Sequence, residues 1–169
     1  MTIFFTSDLH FGHRAMAEMR GFPDIPAMDA HMKATWNSQS SPSDMVYILG
    51  DFSFHKTDTT LHLLRTLNGS KIFVKGNHDK FNEELKKEVS EFHLYLEKPF
   101  KTSTSDKQHV CMFHFPIANW NRKHFGAWHL SGHQHGRDSG VTGKCLDVGW
   151  DVHKKLLTLE DVHEIMCNK

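Results

Sequence analysis

The sequence predicts an α/β fold, and two observations carry that reading. Short β-branched or aromatic runs alternate with amphipathic helical stretches, the pattern of strands joined by crossover helices. Five loops rich in Asp, Asn and His follow directly on those apolar runs, and ligands in such folds gather beyond the carboxyl ends of the strands. With 169 residues, a single domain spanning 1–169 is expected.

Residues 2–6 read as the first buried strand. The loop 7–13 follows, with Asp8 and His10 alternating so that both point one way from an extended segment. Residues 14–20 read as a short helix. Pro23 and Pro26 mark 22–26 as loop. Residues 27–37 read as helix, with Met28, Met32 and Trp36 four apart on a core face. Residues 45–49 form the second strand, which ends in Gly50-Asp51. Thr57 or Asp58 caps a helix running to about Leu67.

Residues 71–74 form the third strand and lead into Lys75-Gly76-Asn77-His78-Asp79. Residues 81–89 read as a helix with a solvated charged face, 92–96 as strand-like, and 102–106 as a turn. Three more strands cover 109–113, 127–130 and 145–149. The first runs into His114-Phe115-Pro116, the second into Ser131-Gly132-His133-Gln134-His135-Gly136. Thr158-Leu159-Glu160-Asp161 is a capping-box variant that opens a C-terminal helix.

Composition narrows the function. Twenty basic and twenty acidic residues cancel, so no extended nucleic-acid-binding surface is expected and an anionic partner is held by local charge. Three cysteines without metal-finger spacing argue against a disulfide framework and suit a reducing compartment. No signal-like start and no run near the ~18 apolar residues of a membrane span is present, so a cytoplasmic location is expected. The outlier is histidine, with fifteen residues clustered in the loops.

The pooled candidate ligands are Asp8, His10, Asp51, Asn77, His114, His133 and His135. Seven exceed the needs of one tetrahedral ion. A bridging carboxylate lets them serve two ions with four ligands each. Nitrogen and oxygen donors without thiolate suit manganese, iron or zinc. Two such ions clamp a phosphoryl group and acidify a shared water, and their charge outweighs that of Asp8 and Asp51. His78, beside Asn77, is placed to protonate a leaving alcohol. Arg14, just after the first loop, reads equally as a phosphate contact or as a solvated residue at a helix start.

Ser7-Asp8-Leu9-His10, Gly50-Asp51, Gly76-Asn77-His78-Asp79, His114-Phe115-Pro116 and Gly132-His133-Gln134-His135 resemble, in order, the motifs of the calcineurin-like metallophosphoesterase superfamily. Residues 7–13, 36–37 and 146–151 also look like its short bacterial and phage phosphoesterases. The resemblance implies a four-layer αββα sandwich of two mixed β-sheets flanked by helices. It implies one metal held by Asp8, His10, Asp51 and His135, and a second held by Asp51, Asn77, His114 and His133, with Asp51 bridging. It also implies His78 as the transition-state or proton-donating residue, Asp79 as its orienting partner, and manganese as the usual ion.

Gly50-Asp51-Phe52-Ser53-Phe54 departs from the Gly-Asp-x-Val-Asp-Arg-Gly of the protein phosphatases, which argues against that branch. Gly136-Arg137-Asp138 after His135 breaks the His-x-His-x-Asp-His of β-lactamase-like hydrolases. The expected activity is hydrolysis of phosphodiesters, such as cyclic nucleotides or short nucleic-acid ends, in an open site. The alternatives are a phosphomonoesterase acting on small phosphate esters or nucleotides, and a non-catalytic protein-binding scaffold on the same fold.

Overall fold

The computed structural model describes residues 1–169. Its first sheet contains β1 (Ile3–Thr6), β2 (Met45–Ile48), β3 (Ser70–Val74), β4 (Glu91–His93) and β9 (Leu157–Thr158), in the order β4-β3-β2-β1-β9. Strands β1 to β4 are parallel, and β9 runs antiparallel to β1. The second sheet has the order β5-β6-β7-β8, from β5 (Leu96–Phe100), β6 (Gln108–Met112), β7 (Trp128–Ser131) and β8 (Cys145–Asp147). Here β6, β7 and β8 are parallel and β5 is the antiparallel edge.

Side-chain alternation along the strands builds two cores. Phe4, Val46, Ile48 and Phe73 face the helices α1 (Arg14–Met19), α2 (Ile25–Gln39), α3 (Thr57–Thr66) and α4 (Glu83–Lys87), where they meet Met28, Met32, Trp36 and Leu64. Phe5, Tyr47, Leu49, Ile72 and Val74 point the other way, onto Val110, Met112, Trp128 and Leu130 of the second sheet. The expected layering of two mixed sheets with flanking helices is therefore present. Over the outer face of the second sheet lie Trp120 and the 3₁₀ turn Lys123–Phe125. The helix α6 (Leu159–Cys167) packs Leu159, Val162 and Met166 into the inter-sheet core. No helix is long and apolar enough to cross a membrane.

Several elements differ from the sequence reading. The second helix starts at Ile25, so Pro26 lies inside its first turn, where a missing N–H costs nothing. Asp24 caps it by accepting from the Ala27 N–H. Neither Thr57 nor Asp58 caps α3; Lys56 stands at that position without a side-chain bond. The helix expected over 81–89 shortens to Glu83–Lys87 because Asn82 caps it and Phe81 turns onto Phe73, 4.1 Å between rings. The stretch 92–96 splits at the exposed pair Leu94 and Tyr95, where the chain leaves β4 and enters the second sheet at β5. Strand 145–149 ends at Asp147, and Gly149 instead opens the short helix α5 (Trp150–His153). The capping box is as expected: the Thr158 hydroxyl accepts from the Asp161 N–H, and Asp161 accepts from the Thr158 N–H.

Candidate metal centre

Strands β1, β2, β3, β6 and β7 all end in the loops that carry the candidate ligands. The first two loops are zipped together by backbone bonds, Asp8 N–H to Gly50 C=O and His10 N–H to Asp51 C=O, both 3.0 Å. The fourth and fifth are joined by Gly132 N–H to His114 C=O at 2.9 Å. The two sheets are locked to each other at this end. The Leu49 carbonyl takes His114 Nδ1 at 2.7 Å, and Asp8 Oδ2 takes the His133 N–H at 2.9 Å.

Asp8 and His10 do not lie on an extended segment as their alternation predicts. Both are left-handed, with φ of 54° and 52°, as are Asp51 (54°), His133 (71°) and His135 (51°). Non-glycine residues seldom adopt this region, and each such residue stores on the order of 1–3 kcal/mol of strain. Five of the seven candidate ligands are held this way, and among the other non-glycine residues only Arg122 and Lys154 share the conformation. Close backbone approach helps to hold them there. A Cβ on Gly132 would fall 2.3 Å from Asp8 Oδ2, and one on Gly76 would fall 2.3 Å from Asp51 Oδ1.

The side chains converge in two groups, Asp8 with His10 and His135, and Asp51 with His114 and His133; within each group the ligand atoms lie within 4.8 Å of one another. Asn77 joins the second group through Oδ1, 2.9 Å from His114 Nε2. All seven candidate ligands therefore meet in one place.

The donor set fits a cation. His10 is only 4% exposed, yet neither ring nitrogen has a hydrogen-bond partner, a costly state for buried polar atoms. His114 Nδ1 faces a carbonyl, so it carries the ring proton. Its Nε2 lone pair then faces two acceptors, Asn77 Oδ1 and Asp51 Oδ2 at 3.4 Å. A lone pair among acceptors is satisfied by a cation, either a proton or a metal. Burial lowers the His114 pKa, but bonds to Asp51 and Leu49 outweigh this and hold it above its usual value. Burial raises the Asp51 carboxyl, yet bonds from His114 and the His78 N–H leave it below the usual range.

His78 is exposed beside the cluster, with its ring centre 6.0 Å from that of His10 and 5.1 Å from that of Phe54. Asp79 does not orient it. The Asp79 carboxylate is buried and accepts three backbone N–H groups, from Asp51 (2.8 Å), Phe52 (2.9 Å) and Gly76 (2.7 Å). Asp79 thus fixes the two loops that present Asp51 and Asn77. Arg14 stands outside the cluster. Its side chain is 86% exposed on α1 and pairs with Glu18 at 3.0 Å.

Two residues escaped the sequence reading. Asp151 holds His135 Nδ1 at 2.7 Å and Arg20 Nε at 2.7 Å. Burial opposes the Asp151 charge, but His135 and Arg20 keep the carboxyl strongly acidic. The Asp151 bond raises the His135 pKa. Phe54, 40% exposed, lies 4.2 Å from His13 and 5.4 Å from His10 by ring centres. The run 146–151 held the only trace of Asp151; nothing in the sequence singled out Phe54.

Comparison with known proteins agrees with this geometry. A solved structure from Aquifex aeolicus, described as the protein of unknown function AQ665, superposes with a TM-score of 0.74 over 97% of this chain and 98% of its own, at 21% identity. That likeness concerns the fold alone. The uncharacterized protein MJ1445 of Methanocaldococcus jannaschii is 31% identical over 137 residues, 79% of this chain and 69% of that protein. The gene 66 protein of Mycobacterium phage D29 is 28% identical, covering 97% of this chain and 95% of its own. The family model described as calcineurin-like phosphoesterase matches residues 1–126. That span includes four of the five ligand loops, and the fifth, with His133 and His135, closes the same cluster, so the chain belongs to the calcineurin-like phosphoesterase family.

Proposed function

We propose that this metal-dependent phosphoesterase uses two divalent ions and prefers phosphodiesters. The position of Asp51 carries the two-ion reading. Its Oδ2 lies 3.8 Å from His10 Nε2 and 3.4 Å from His114 Nε2, so one carboxylate reaches both ligand groups. In this reading Asp8, His10, Asp51 and His135 hold one ion, and Asp51, Asn77, His114 and His133 hold the other. Manganese suits the oxygen and imidazole donors, with iron or zinc able to replace it. When bound, the pair supplies Lewis acidity to a phosphoryl group and to a nearby water.

The chain's own residues supply the remaining work. His78 donates its backbone N–H to Asp51 Oδ1 at 2.9 Å, which leaves Oδ2 for the shared position. No hydrogen bond within the protein engages the His78 ring, which is free to hold a proton for the leaving oxygen. Asp79 keeps both loops in place through its three backbone bonds. The diester preference is supported by a cleft of about 460 Å³ that continues past Asn77 and His78 and has room for a second ester arm. The proposal includes a small phosphate-ester or nucleotide substrate, one domain over the whole chain, and a cytoplasmic location that suits three unpaired cysteines.

The test is turnover of bis- and mono-p-nitrophenyl phosphate by protein reconstituted with manganese, with bound metal counted by elemental analysis. The expected result is two ions per chain and faster cleavage of the diester. Faster cleavage of the monoester would convert the reading to a phosphomonoesterase. No turnover of either ester by metal-loaded, folded protein would remove it.

A further inference from the structure

The cleft beside His78 also has lining residues that the hydrolytic reaction does not use. One wall is the segment from Ser53 to Thr57, which begins two residues after Asp51. The other runs from Asn77 to Phe81. Asn82 Nδ2 donates to Thr57 Oγ1 at 3.4 Å and ties the two walls together. Both walls start at ligand loops, so a group leaving the cluster past His78 enters this space.

Its lining is positively charged in a protein with no net charge. Lys56 and Lys80 are exposed, and neither takes part in an ion pair. The one acid in the lining is Asp79, whose oxygens are occupied by three backbone N–H groups. His55, also in the wall, is paired with Asp29 at 2.6 Å. Two uncompensated ammonium groups in a concave wall call for an anion. At the mouth, Phe54 is held among the rings of His10, His13 and His78 while 40% of it faces solvent. An exposed ring fixed in this way is a stacking platform for a base or aryl group.

We propose that this cleft binds the leaving half of a nucleotide substrate, with its base on Phe54 and a second phosphate against Lys56 and Lys80. The substrate class is then a short phosphodiester whose leaving nucleoside carries its own phosphate. The inference rests on the phosphoesterase reading for its chemistry, but not for binding.

Binding is tested first on metal-free protein, by NMR titration with thymidine and thymidine 5′-monophosphate. The monophosphate should bind on the order of tenfold tighter, equivalent to about 1.4 kcal/mol. That advantage should shrink with salt, vanish in Lys56→Ala/Lys80→Ala and persist in Lys107→Ala, an exposed lysine that does not line the cleft. Phe54→Ala should weaken both ligands. Equal binding of the two, or an advantage untouched by the double lysine variant, overturns the proposal.

On manganese-loaded enzyme, the thymidine dinucleotide is compared with its 3′- and 5′-phosphorylated forms. One phosphorylated form should show a kcat/KM about tenfold higher, and that ratio should fall towards one in the double lysine variant. Lysine-dependent nucleotide binding without any ester turnover would sink the phosphoesterase reading and leave the cleft. Turnover of bis-p-nitrophenyl phosphate without lysine-dependent binding would sink the cleft alone.

Discussion

Nδ1 of His135 lies 2.7 Å from Oδ2 of Asp151, and through this pair a candidate ligand is tied to a buried arginine. Arg20 takes the other Asp151 oxygen at 2.7 Å and donates to the Asp8 and Leu9 carbonyls at 2.8 and 2.7 Å. The contacts run from His135 to the loop that carries Asp8. A carboxylate on Nδ1–H directs the Nε2 lone pair inward and raises its basicity. Asp151→Asn keeps the shape but removes that charge. Metal affinity at the group of Asp8, His10 and His135 should fall by about 10–100-fold, with the Asp51 group less affected. Competition titration with a chelating dye reads this directly. Unchanged affinity at both sites would show that the contact does not orient a ligand.

Asp51→Asn should empty both sites, because its Oδ2 reaches His10 at 3.8 Å and His114 at 3.4 Å. The amide keeps an acceptor but loses the charge that both ions would share. Elemental analysis of protein prepared in equal metal should find less than one ion per chain. One fully occupied site would assign Asp51 to a single group; two would end the bridging reading.

Gly132→Ala should damage the centre without replacing a ligand. The added Cβ would lie 1.9 Å from Ser7 Oγ and 2.3 Å from Asp8 Oδ2. Neither neighbour yields easily. The single Ser7 hydroxyl proton lies between two acceptors, Asp8 Oδ2 at 2.7 Å and the Leu49 carbonyl at 2.9 Å from Oγ, and Ser7 and Asp8 are fully buried. Overpacking of this kind costs about 1–3 kcal/mol, measurable as a lower urea midpoint, and metal affinity at the Asp8 group should fall with it. Wild-type stability and metal content together would mean that the fifth loop is free to move away from the first.

What the sequence made legible was local periodicity. The apolar run Ile72-Phe73-Val74 and the spacing of Met28, Met32 and Trp36 depend on neighbours in the chain, and all six residues are buried. The ligand loops were legible because the same donor types recur after apolar runs. The edge strands β5 and β9 were not. Strand β9 is two residues long, and β5 carries Glu97, Lys98 and Pro99, which are tolerated only because one side is unpaired. The left-handed ligand residues were hidden because tertiary contacts, not local propensity, hold that conformation. Asp151 was hidden because its meaning depends on Arg20, 131 positions away. Asp79 was misread because the family resemblance implied that it orients His78, whereas its carboxylate turns inward to three backbone N–H groups.

His78→Ala tests the proton-donor role in a way that a structural role would not mimic. The residue is exposed and its ring makes no hydrogen bond within the protein, so its removal should leave the fold and metal content intact. A general acid contributes typically ~10²–10⁴-fold, but only where the leaving oxygen needs a proton. p-Nitrophenolate departs readily as an anion, whereas a nucleoside alkoxide does not. The variant should therefore lose the full factor in kcat on a thymidine dinucleotide and much less on bis-p-nitrophenyl phosphate. An equal loss on both substrates would instead make His78 a binding or electrostatic contact. Near-wild-type turnover of the dinucleotide would remove it from the reaction.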